Sequence, residues 1–386
     1  MKILIVPMSA MAETAGPISR CRLMAEKLKR TNVEVATCIA KDINYIKIEG
    51  IRNYDLCIPT PLSLPLFIAD KAIPTVQKLG ITAHKTVRSF DEVLCLTGNL
   101  NYRYLRKSFE QISAAIDTFD PDIVYSEFNI SAIIAAKYKG VRLYTTVSYP
   151  TQHGYAHNTK LAIGLNRLLT ELSMDRMESA LQLFDMADKR FCPSVKELEP
   201  FEGNNIIFCG SLKEVEVKNR VRDKILVYMG NGNISATKAA KVIKKAFAGT
   251  EYEVFLASSY LDEENIGNLH IAHRWDFDAL LDEAVLYINH GGQNSMVDGL
   301  LHGVPQIVIP GKVFERRFNA EKVQENRAGI CLLTNEFTSE NVSITAEEVI
   351  KNAKMRENAQ NLGLKLKECG GVEKIVKEMQ IGRAHV

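Results

Sequence analysis

The sequence predicts an α/β protein made of two Rossmann-like domains, each with a parallel sheet covered by helices on both faces. Short apolar runs that are typical of buried strands alternate with helical patterns, which is the order found in parallel sheets. The series strand, glycine turn and helix starts at residue 2 and starts again at residue 224. A length of 386 residues also favours two cores over one.

The first half opens with the strand KILIVP, a glycine-containing turn and a helix over about residues 18–29. Leu23, Met24 and Leu28 recur there at helical spacing. Residues 65–107 are the least regular part of this half and combine basic with aromatic side chains. The further strand candidates, in chain order, are NVEVATCIA, DLCIP, DIVYS, RLYTTV, KRFCPS and IIFCG.

The second half repeats this order of strand, glycine turn and helix from residue 224 onward. We place the boundary in the charged, helix-poor stretch 212–223, which gives an N-terminal domain over residues 1–215 and a C-terminal domain over residues 216–380. Ligands of such sheets bind beyond the carboxyl ends of the strands, so we expect the site in a cleft between the two domains. The strand candidates are KILVYMGNGN, EYEVFLA, NLHIAHR, AVLYINHGG, PQIVIPG and AGICLL.

Composition excludes several classes of function. The 48 basic and 46 acidic residues leave a net charge of +2, so no overall field favours nucleic acid. The eight cysteines form no CxxC pair, and we expect reduced thiols and no metal site. The apolar run at residues 3–7 is too short for a signal sequence, so we expect a soluble, cytoplasmic protein. The tail IGRAHV, residues 381–386, matches a translated sequencing adapter, and we expect it to be non-native.

Residues 287–330 carry the most informative motif. A strand turns sharply into a helix predicted over residues 295–301, and Gly291 and Gly292 allow a ligand to approach the backbone at the turn. Asn294 and Ser295 stand at the start of this helix, where free amides and the positive end of the helix dipole favour a phosphate group. Ser295 adds a hydroxyl and His290, at the strand end, adds a ring donor.

These residues resemble the nucleotide-sugar signature of the inverting family-one glycosyltransferases. The resemblance implies the GT-B fold and the transfer of a sugar from a nucleoside diphosphate sugar, with UDP as the expected nucleotide, to a hydroxyl of a small molecule or lipid. It implies no cofactor and no metal. The positions that carry it are His290-Gly291-Gly292, Asn294-Ser295, Asp298, Gly303-Val304-Pro305, Pro310, Glu315 and Asn319-Ala320.

The resemblance also implies individual roles. His290, Gly292 and Ser295 would bind the donor diphosphate, and Asp298 would replace the family's Glu that accepts from the ribose hydroxyls. Glu315-Arg316 stands where the family has an Asp followed by Gln that grip sugar hydroxyls. An Arg there suits a donor with an anionic group, and an exposed Arg without such a role is the alternative.

Two upstream segments complete the predicted donor site. HRWDFDALLDEA resembles the segment that flanks the base, so Trp275 is either a stacking platform or a tryptophan of the core or of a domain interface. The turn after the first strand of the second half contains Gly230 and Asn231 and resembles the family's glycine turn that faces the donor. A tight turn with no ligand explains its glycines equally well.

The pattern breaks at the catalytic base. Inverting transfer needs a group that deprotonates the acceptor hydroxyl, and the family's His falls on Pro17 here. Glu127 matches the carboxylate that orients this His and is the first candidate base, and a structural role in capping the next helix is the alternative. The rival bases are Glu13, His153 and His157.

Acceptor contacts are expected in two parts of the first domain. The loop SYPTQHGYAHN, residues 148–158, contains His153 and His157 without a third metal ligand, so an acceptor contact or a solvated loop is expected there rather than zinc. Residues 65–107 are either an acceptor-binding insertion or a solvated loop and helix.

The sequence leaves two other functions open. Because Pro17 cannot accept a proton, the protein could bind the donor without turnover and act as a partner subunit. A sugar-nucleotide epimerase with the same fold is the third hypothesis. The expected partners are a nucleotide sugar and a small-molecule or lipid acceptor, and not nucleic acid. Oligomeric state and peripheral membrane contact are left open by the sequence.

Overall fold

The computed structural model describes residues 1–10, 16–42, 45–61, 86–202, 205–230 and 234–381. The chain divides into two compact units. The described residues of 1–61, 88–213 and 369–381 form the N-terminal unit, and the described residues of 86–87 and 214–368 form the C-terminal unit. The chain passes from the first unit to the second between Lys213 and Glu214, inside the charged stretch 212–223.

The N-terminal unit contains a seven-stranded, all-parallel sheet in the order β3-β2-β1-β4-β5-β6-β7. The strand order reverses at β1, where the carboxyl ends of β1 and β4 lie side by side. The strands are β1 Lys2–Pro7, β2 Glu34–Thr37, β3 Arg52–Asn53, β4 Ile123–Glu127, β5 Arg142–Thr146, β6 Lys189–Cys192 and β7 Ile206–Phe208. The α-helices are α1 Gly16–Lys29, α2 Phe90–Leu96, α3 Tyr102–Phe119, α4 Ile130–Lys139 and α5 Ile163–Glu171, and 3₁₀ segments span Tyr149–Thr151, His153–Tyr155, Thr159–Ala162 and Ala180–Met186.

The C-terminal unit contains a second seven-stranded sheet in the order β10-β11-β9-β8-β12-β13-β14. All neighbours pair in parallel except β10 and β11, and the strand order reverses at β8. The strands are β8 Lys224–Tyr228, β9 Glu253–Ala257, β10 Glu264–Ile266, β11 Leu269–Ala272, β12 Ala284–Asn289, β13 Gln306–Val308 and β14 Gly329–Cys331. The helices are α6 Ala236–Ala246, α7 Phe277–Glu283, α8 Gln293–Leu301, α9 Phe314–Glu325, α10 Ser339–Lys351 and α11 Ala353–Glu368.

The last helix, α12 Gly371–Ile381, packs in the N-terminal unit. Its apolar face, with Ile375 and Met379 fully buried, joins the core formed by α1 and the face of the first sheet that α1 covers. An ion pair of 2.8 Å between Lys189 and Glu378 ties the helix to β6. The predicted boundary assigned residues 369–380 to the C-terminal domain, and the structure places them in the other unit because this apolar face completes the core around α1.

Two parallel-dominated sheets covered by helices confirm the predicted fold class. The predicted strand DLCIP is wrong, because pairing with β2 ends earlier in the chain. Asn53 accepts from the Ile39 amide at 2.8 Å and donates to the Ile39 carbonyl at 3.0 Å, and these bonds end the ladder at β3. The short strand β10 was not predicted, since Glu264 and Asn265 interrupt any apolar run. Among the described residues, no helix combines the length and the apolar character needed to cross a membrane.

Candidate donor-binding site

The candidate site of the C-terminal unit lies where the strand order of its sheet reverses. Tyr228, the last residue of β8, is in register with Asn289, the last residue of β12. The segments that follow both strands, with Gly230 after one and His290 after the other, therefore emerge next to each other at the carboxyl edge. In open α/β sheets this point is where ligands bind.

His290 is wedged between two glycines. A side-chain carbon on Gly230 would stand 3.0 Å from the ring atom Cε1, and one on Gly292 would stand 2.7 Å from Nε2. The ring packs edge-on against Tyr228, with 5.4 Å between centroids, and only 9% of the residue is exposed. The two glycines are therefore needed to make room for this imidazole.

The ring of His290 is held neutral. Burial and, to a smaller extent, the positive charge of Arg316 lower its pKa from 6.5 to about 3, while the hydrogen bond with the Tyr228 carbonyl acts in the opposite direction. That carbonyl oxygen lies 3.4 Å from Nδ1 and accepts from it when the proton is there. A ring that also donates to a phosphate from Nε2 must take up a second proton.

This buried ring gives the C-terminal unit a pH-dependent stability. The unfolded chain binds a proton on His290 below pH 6.5 and the native state does so only near pH 3, so stability falls as the pH is lowered through this window. Between pH 7 and pH 5 we expect the ring to remove about 2 kcal/mol from the free energy of unfolding. Urea unfolding at both pH values, on the wild type and on His290→Gln, measures this. An equal loss in both proteins would contradict it.

The turn between β12 and α8 is fixed by side chains and by glycine geometry. Gly291 has φ +79, and a side-chain carbon there would stand 2.8 Å from the Arg316 carbonyl oxygen in α9. The Gly291 amide donates to Asn289 Oδ1 at 2.9 Å, and Asn319 Nδ2 donates to the Gly291 carbonyl at 2.8 Å. Gly292 is the N-cap residue of α8 and has no side chain to accept from the first-turn amides. Because α8 begins just after β12 ends, these first-turn amides lie at the carboxyl edge, where an anion site would need them.

The predicted residues at the start of α8 differ in their exposure. The helix begins at Gln293, two residues before the predicted start. Asn294 is exposed, whereas Ser295 is buried beside the phenol of Tyr287. Asp298 is partly buried and lies three residues after Ser295, on the same face of the helix.

Trp275 lies at the same edge of the sheet, after β11. Its indole N–H donates to the Leu256 carbonyl at 3.2 Å, and its ring meets Phe255 edge-on at 5.1 Å between centroids. The residue is half-buried against a small apolar cluster. Strands β9 and β8 separate its strand from β12, so three strand spacings, about 14 Å, lie between Trp275 and His290 along the edge.

The remaining predicted donor residues lie in α9 and in the turn after β8. Glu315 and Arg316 lie in the first turn of α9, and both are partly buried. Burial lowers the pKa of Arg316, and Glu315 and Tyr228 act in the opposite direction. Gly230 has φ +52, and Asn231 lies outside the described residues.

The N-terminal unit contains the candidate bases. Glu127 ends β4 and is fully buried, with its Oε1 2.6 Å from Nε of Arg20 in α1 and its Oε2 accepting from Thr146. The helix after β4 is capped by Asn129, not by Glu127. This environment favours a structural role, since both carboxylate oxygens are engaged and the side chain is closed to solvent. Pro17 is the second residue of α1, where a missing N–H costs nothing.

The other candidate bases differ in their surroundings. His153 exposes 39% of its side chain, and its Nε2 lies 3.6 Å from a carboxylate oxygen of Glu178. His157 is exposed. Glu13 lies outside the described residues, as do residues 62–85 of the segment expected to contact an acceptor. In the described part of the chain, no group of three or more His, Cys, Asp or Glu side chains is arranged to hold a metal.

Sequence reasoning missed several residues that shape these sites. Arg20 is separated from Glu127 by 107 positions, so no local pattern reveals the pair. The sequence pattern indicates only that Tyr228 belongs to a strand, whereas in the structure its ring and its carbonyl both face His290. Asn289 could have been found from the sequence, because a buried amide side chain at a strand end must satisfy its hydrogen bonds. In the structure this side chain bonds to Gly291 and Gln306.

Part of the chain matches a known family model. Residues 255–369 match the Erythromycin biosynthesis protein CIII-like, C-terminal domain. NDP-glycosyltransferase YjiC of Bacillus subtilis (strain 168) is 26% identical over 201 residues, 50% of this chain and 48% of the relative. The chain therefore spans about half the length of this curated relative.

Two solved structures cover nearly the whole chain. The calicheamicin glycosyltransferase CalG4 superposes with a TM-score of 0.75 at 15% identity, over 100% of this chain and 98% of that one. The spinosyn rhamnosyltransferase SpnG complexed with thymidine diphosphate superposes with a TM-score of 0.69 at 12% identity, over 98% and 100% of the two chains. The chain has the GT-B fold, and its EryCIII-like segment confirms the resemblance to the family-one glycosyltransferases.

Proposed function

We propose that this protein is a glycosyltransferase that moves a sugar from a nucleoside diphosphate sugar to a hydroxyl of a small-molecule or lipid acceptor. One observation carries the proposal. The glycine turn after β12 stands at the point where the strand order reverses, with the amides of α8 directed to the carboxyl edge and His290 packed between Gly230 and Gly292. This arrangement suits a diphosphate.

The donor is proposed to lie along the carboxyl edge of the second sheet. Its base would stack on Trp275, its ribose would be bound by Asp298, and its diphosphate would meet the first turn of α8 with Ser295 and His290. The aromatic platform lies three strand spacings from the phosphate turn along the edge, which supports an extended nucleotide. SpnG, a structural neighbour, was solved with thymidine diphosphate, which supports a nucleoside diphosphate as the common element.

UDP as the nucleotide and inversion at the anomeric carbon are proposed from the resemblance. In this mechanism the acceptor oxygen forms a bond to the anomeric carbon while the bond to the diphosphate oxygen breaks on the opposite face. The first-turn amides of α8, Ser295 and the His290 ring, donating from Nε2, would stabilise the leaving diphosphate without a metal ion. Among the described candidates, His153 is the better placed base, because it is accessible and has a carboxylate partner, whereas Glu127 is buried and paired.

A second function is favoured by one specific observation. Pro17 occupies the position of the family's base, and the carboxylate that would orient such a base is paired with Arg20. A partner subunit that binds the nucleotide sugar without transferring the sugar would have this arrangement. The two functions differ in turnover and not in nucleotide binding.

Calorimetric titration of UDP, TDP and GDP, followed by donor hydrolysis with the best binder, tests the proposal. We expect one nucleotide to bind, and His290→Ala and Ser295→Ala to weaken it by about tenfold or more, because each removes a phosphate contact. His270→Ala is the matched control, since this His lies on β11 with partners Asn265 and Glu253. Hydrolysis of the donor supports the transferase, and binding without hydrolysis supports the partner subunit. Absence of binding to all three nucleotides rejects both.

A further inference from the structure

A short segment from the N-terminal half of the sequence pairs with the loop that leads into α9. Val87 forms an isolated parallel bridge with Val313. Its amide donates to the Lys312 carbonyl at 3.2 Å, and its carbonyl accepts from the Phe314 amide at 3.0 Å. Val87 accordingly belongs to the C-terminal unit, although the sequence favours an acceptor contact or a solvated loop and helix for residues 65–107.

These hydrogen bonds give α9 the cap that its own sequence lacks. Val313 is the N-cap residue of α9, and its side chain accepts no hydrogen bond from the first-turn amides. The Val87 carbonyl accepts from the Phe314 amide instead, so a main-chain group from a distant part of the chain caps the helix. The capped loop follows β13, the neighbour of β12, and therefore lies at the carboxyl edge of the second sheet.

The first turn of α9 packs directly on the glycine turn at Gly291 and Gly292. The Arg316 carbonyl oxygen lies 2.8 Å from the point where a side-chain carbon on Gly291 would stand. Asn319, three residues later in the same helix, donates to the Gly291 carbonyl at 2.8 Å. Because the two main chains leave no space between them, a shift at the start of α9 must displace the glycine turn or break this contact.

We propose that Val87 is a positioning residue of the donor site, because its main chain holds the first turn of α9 against the glycine turn that receives the diphosphate. The inference rests on the proposed function and extends it to a residue from the N-terminal half of the sequence. Val87 acts through α9 and Gly291 and not by contact with the ligand. Its loss should therefore weaken ligands that carry the diphosphate and spare the nucleoside alone.

Calorimetric titration of UDP and uridine, or of the corresponding pair if TDP or GDP binds better, tests this role. Val87→Pro removes the amide that donates to Lys312, and we expect it to weaken UDP by about tenfold and uridine by less than about twofold. Val87→Ala keeps both main-chain bonds and should bind UDP like the wild type. Val221→Pro is the matched control, since Val221 is 81% exposed in the same unit and its amide has no hydrogen-bond partner among the described residues.

A rescue variant and hydrogen exchange distinguish positioning from a general loss of structure. Val313→Ser supplies a side-chain cap, so Val87→Pro/Val313→Ser should recover UDP affinity to within about threefold of the wild type. Hydrogen exchange in Val87→Pro should become faster in the first turn of α9 and in the glycine turn, and not in the rest of the unit.

Two results overturn the inference and leave the proposed function standing. One is an equal loss of UDP and uridine affinity in Val87→Pro, which would show that the whole unit is loosened. The other is wild-type UDP affinity in Val87→Pro while His290→Ala weakens UDP. A wild type that binds none of the three nucleoside diphosphates overturns both the inference and the proposed function.

Discussion

Gly291→Ala is expected to weaken nucleotide binding strongly and to destabilise the C-terminal unit. The left-handed backbone at φ +79 costs a residue with a side chain about 1 to 2 kcal/mol. The added carbon would also stand 2.8 Å from a main-chain oxygen of α9, which cannot move without shifting that helix. The backbone strain and the close contact together should lower the free energy of unfolding by about 2 to 4 kcal/mol. Affinity for the nucleoside diphosphate should fall about a hundredfold, because the turn orients the amides of α8.

Gly249→Ala is the matched control for this substitution. Gly249 lies in the same unit with φ +74, and a side-chain carbon there would meet no atom within 4 Å. Its loss of stability should be limited to the left-handed backbone, about 1 kcal/mol, with unchanged nucleotide affinity. Urea unfolding and calorimetric titration on both variants separate backbone strain from the contact with α9. Equal behaviour of the two variants would show that the packing of Gly291 against α9 has no influence on the site.

Glu127→Ala is expected to be the most destabilising change in the N-terminal unit. It leaves Arg20, only 13% exposed, without its carboxylate partner at 2.6 Å and removes the acceptor of the Thr146 hydroxyl. Breaking a buried pair from one side costs about 3 to 5 kcal/mol. The Arg20 guanidinium also lies 5.5 Å from the centroid of the Phe128 ring, and Phe128, with φ 59, directly follows β4. Loss of the ion pair should therefore loosen the carboxyl edge of β4.

Chemical denaturation of the full chain measures this loss. Glu110→Ala is the matched control, because Arg106 and Glu110 form an exposed pair at 3.1 Å that water and salt screen, so its loss should change stability little. Removing both partners in Arg20→Met/Glu127→Gln should recover much of the stability, since no charge is then left buried and unpaired. A Glu127→Ala protein as stable as the wild type would contradict the structural role and return Glu127 to the list of candidate bases.

Local patterns predicted most of the fold. The apolar run KILIVP became β1 with its bounds unchanged, and the first helix extends only two residues beyond the predicted start. Strand and helix periods are properties of neighbouring residues, so they can be read without knowledge of the fold. The glycine turn at Gly291 was readable for the same reason, because sequence order alone places it between a strand and a helix.

Contacts between segments that are distant in the chain could not be predicted from the sequence. The Arg20 and Glu127 pair, the packing of α9 on Gly291 and the return of α12 to the first unit each depend on how the chain folds back. The position of α12 was the hardest to predict. An amphipathic pattern shows that a helix has a buried face, but it does not show which core that face joins.

A crystal structure with a bound nucleoside diphosphate tests the central claim most directly. We expect phosphate oxygens within hydrogen-bond distance of the first-turn amides of α8, with Ser295 and His290 as further partners. A diphosphate bound elsewhere, with the turn at Gly291 and Gly292 facing only solvent, would contradict the assignment of this site.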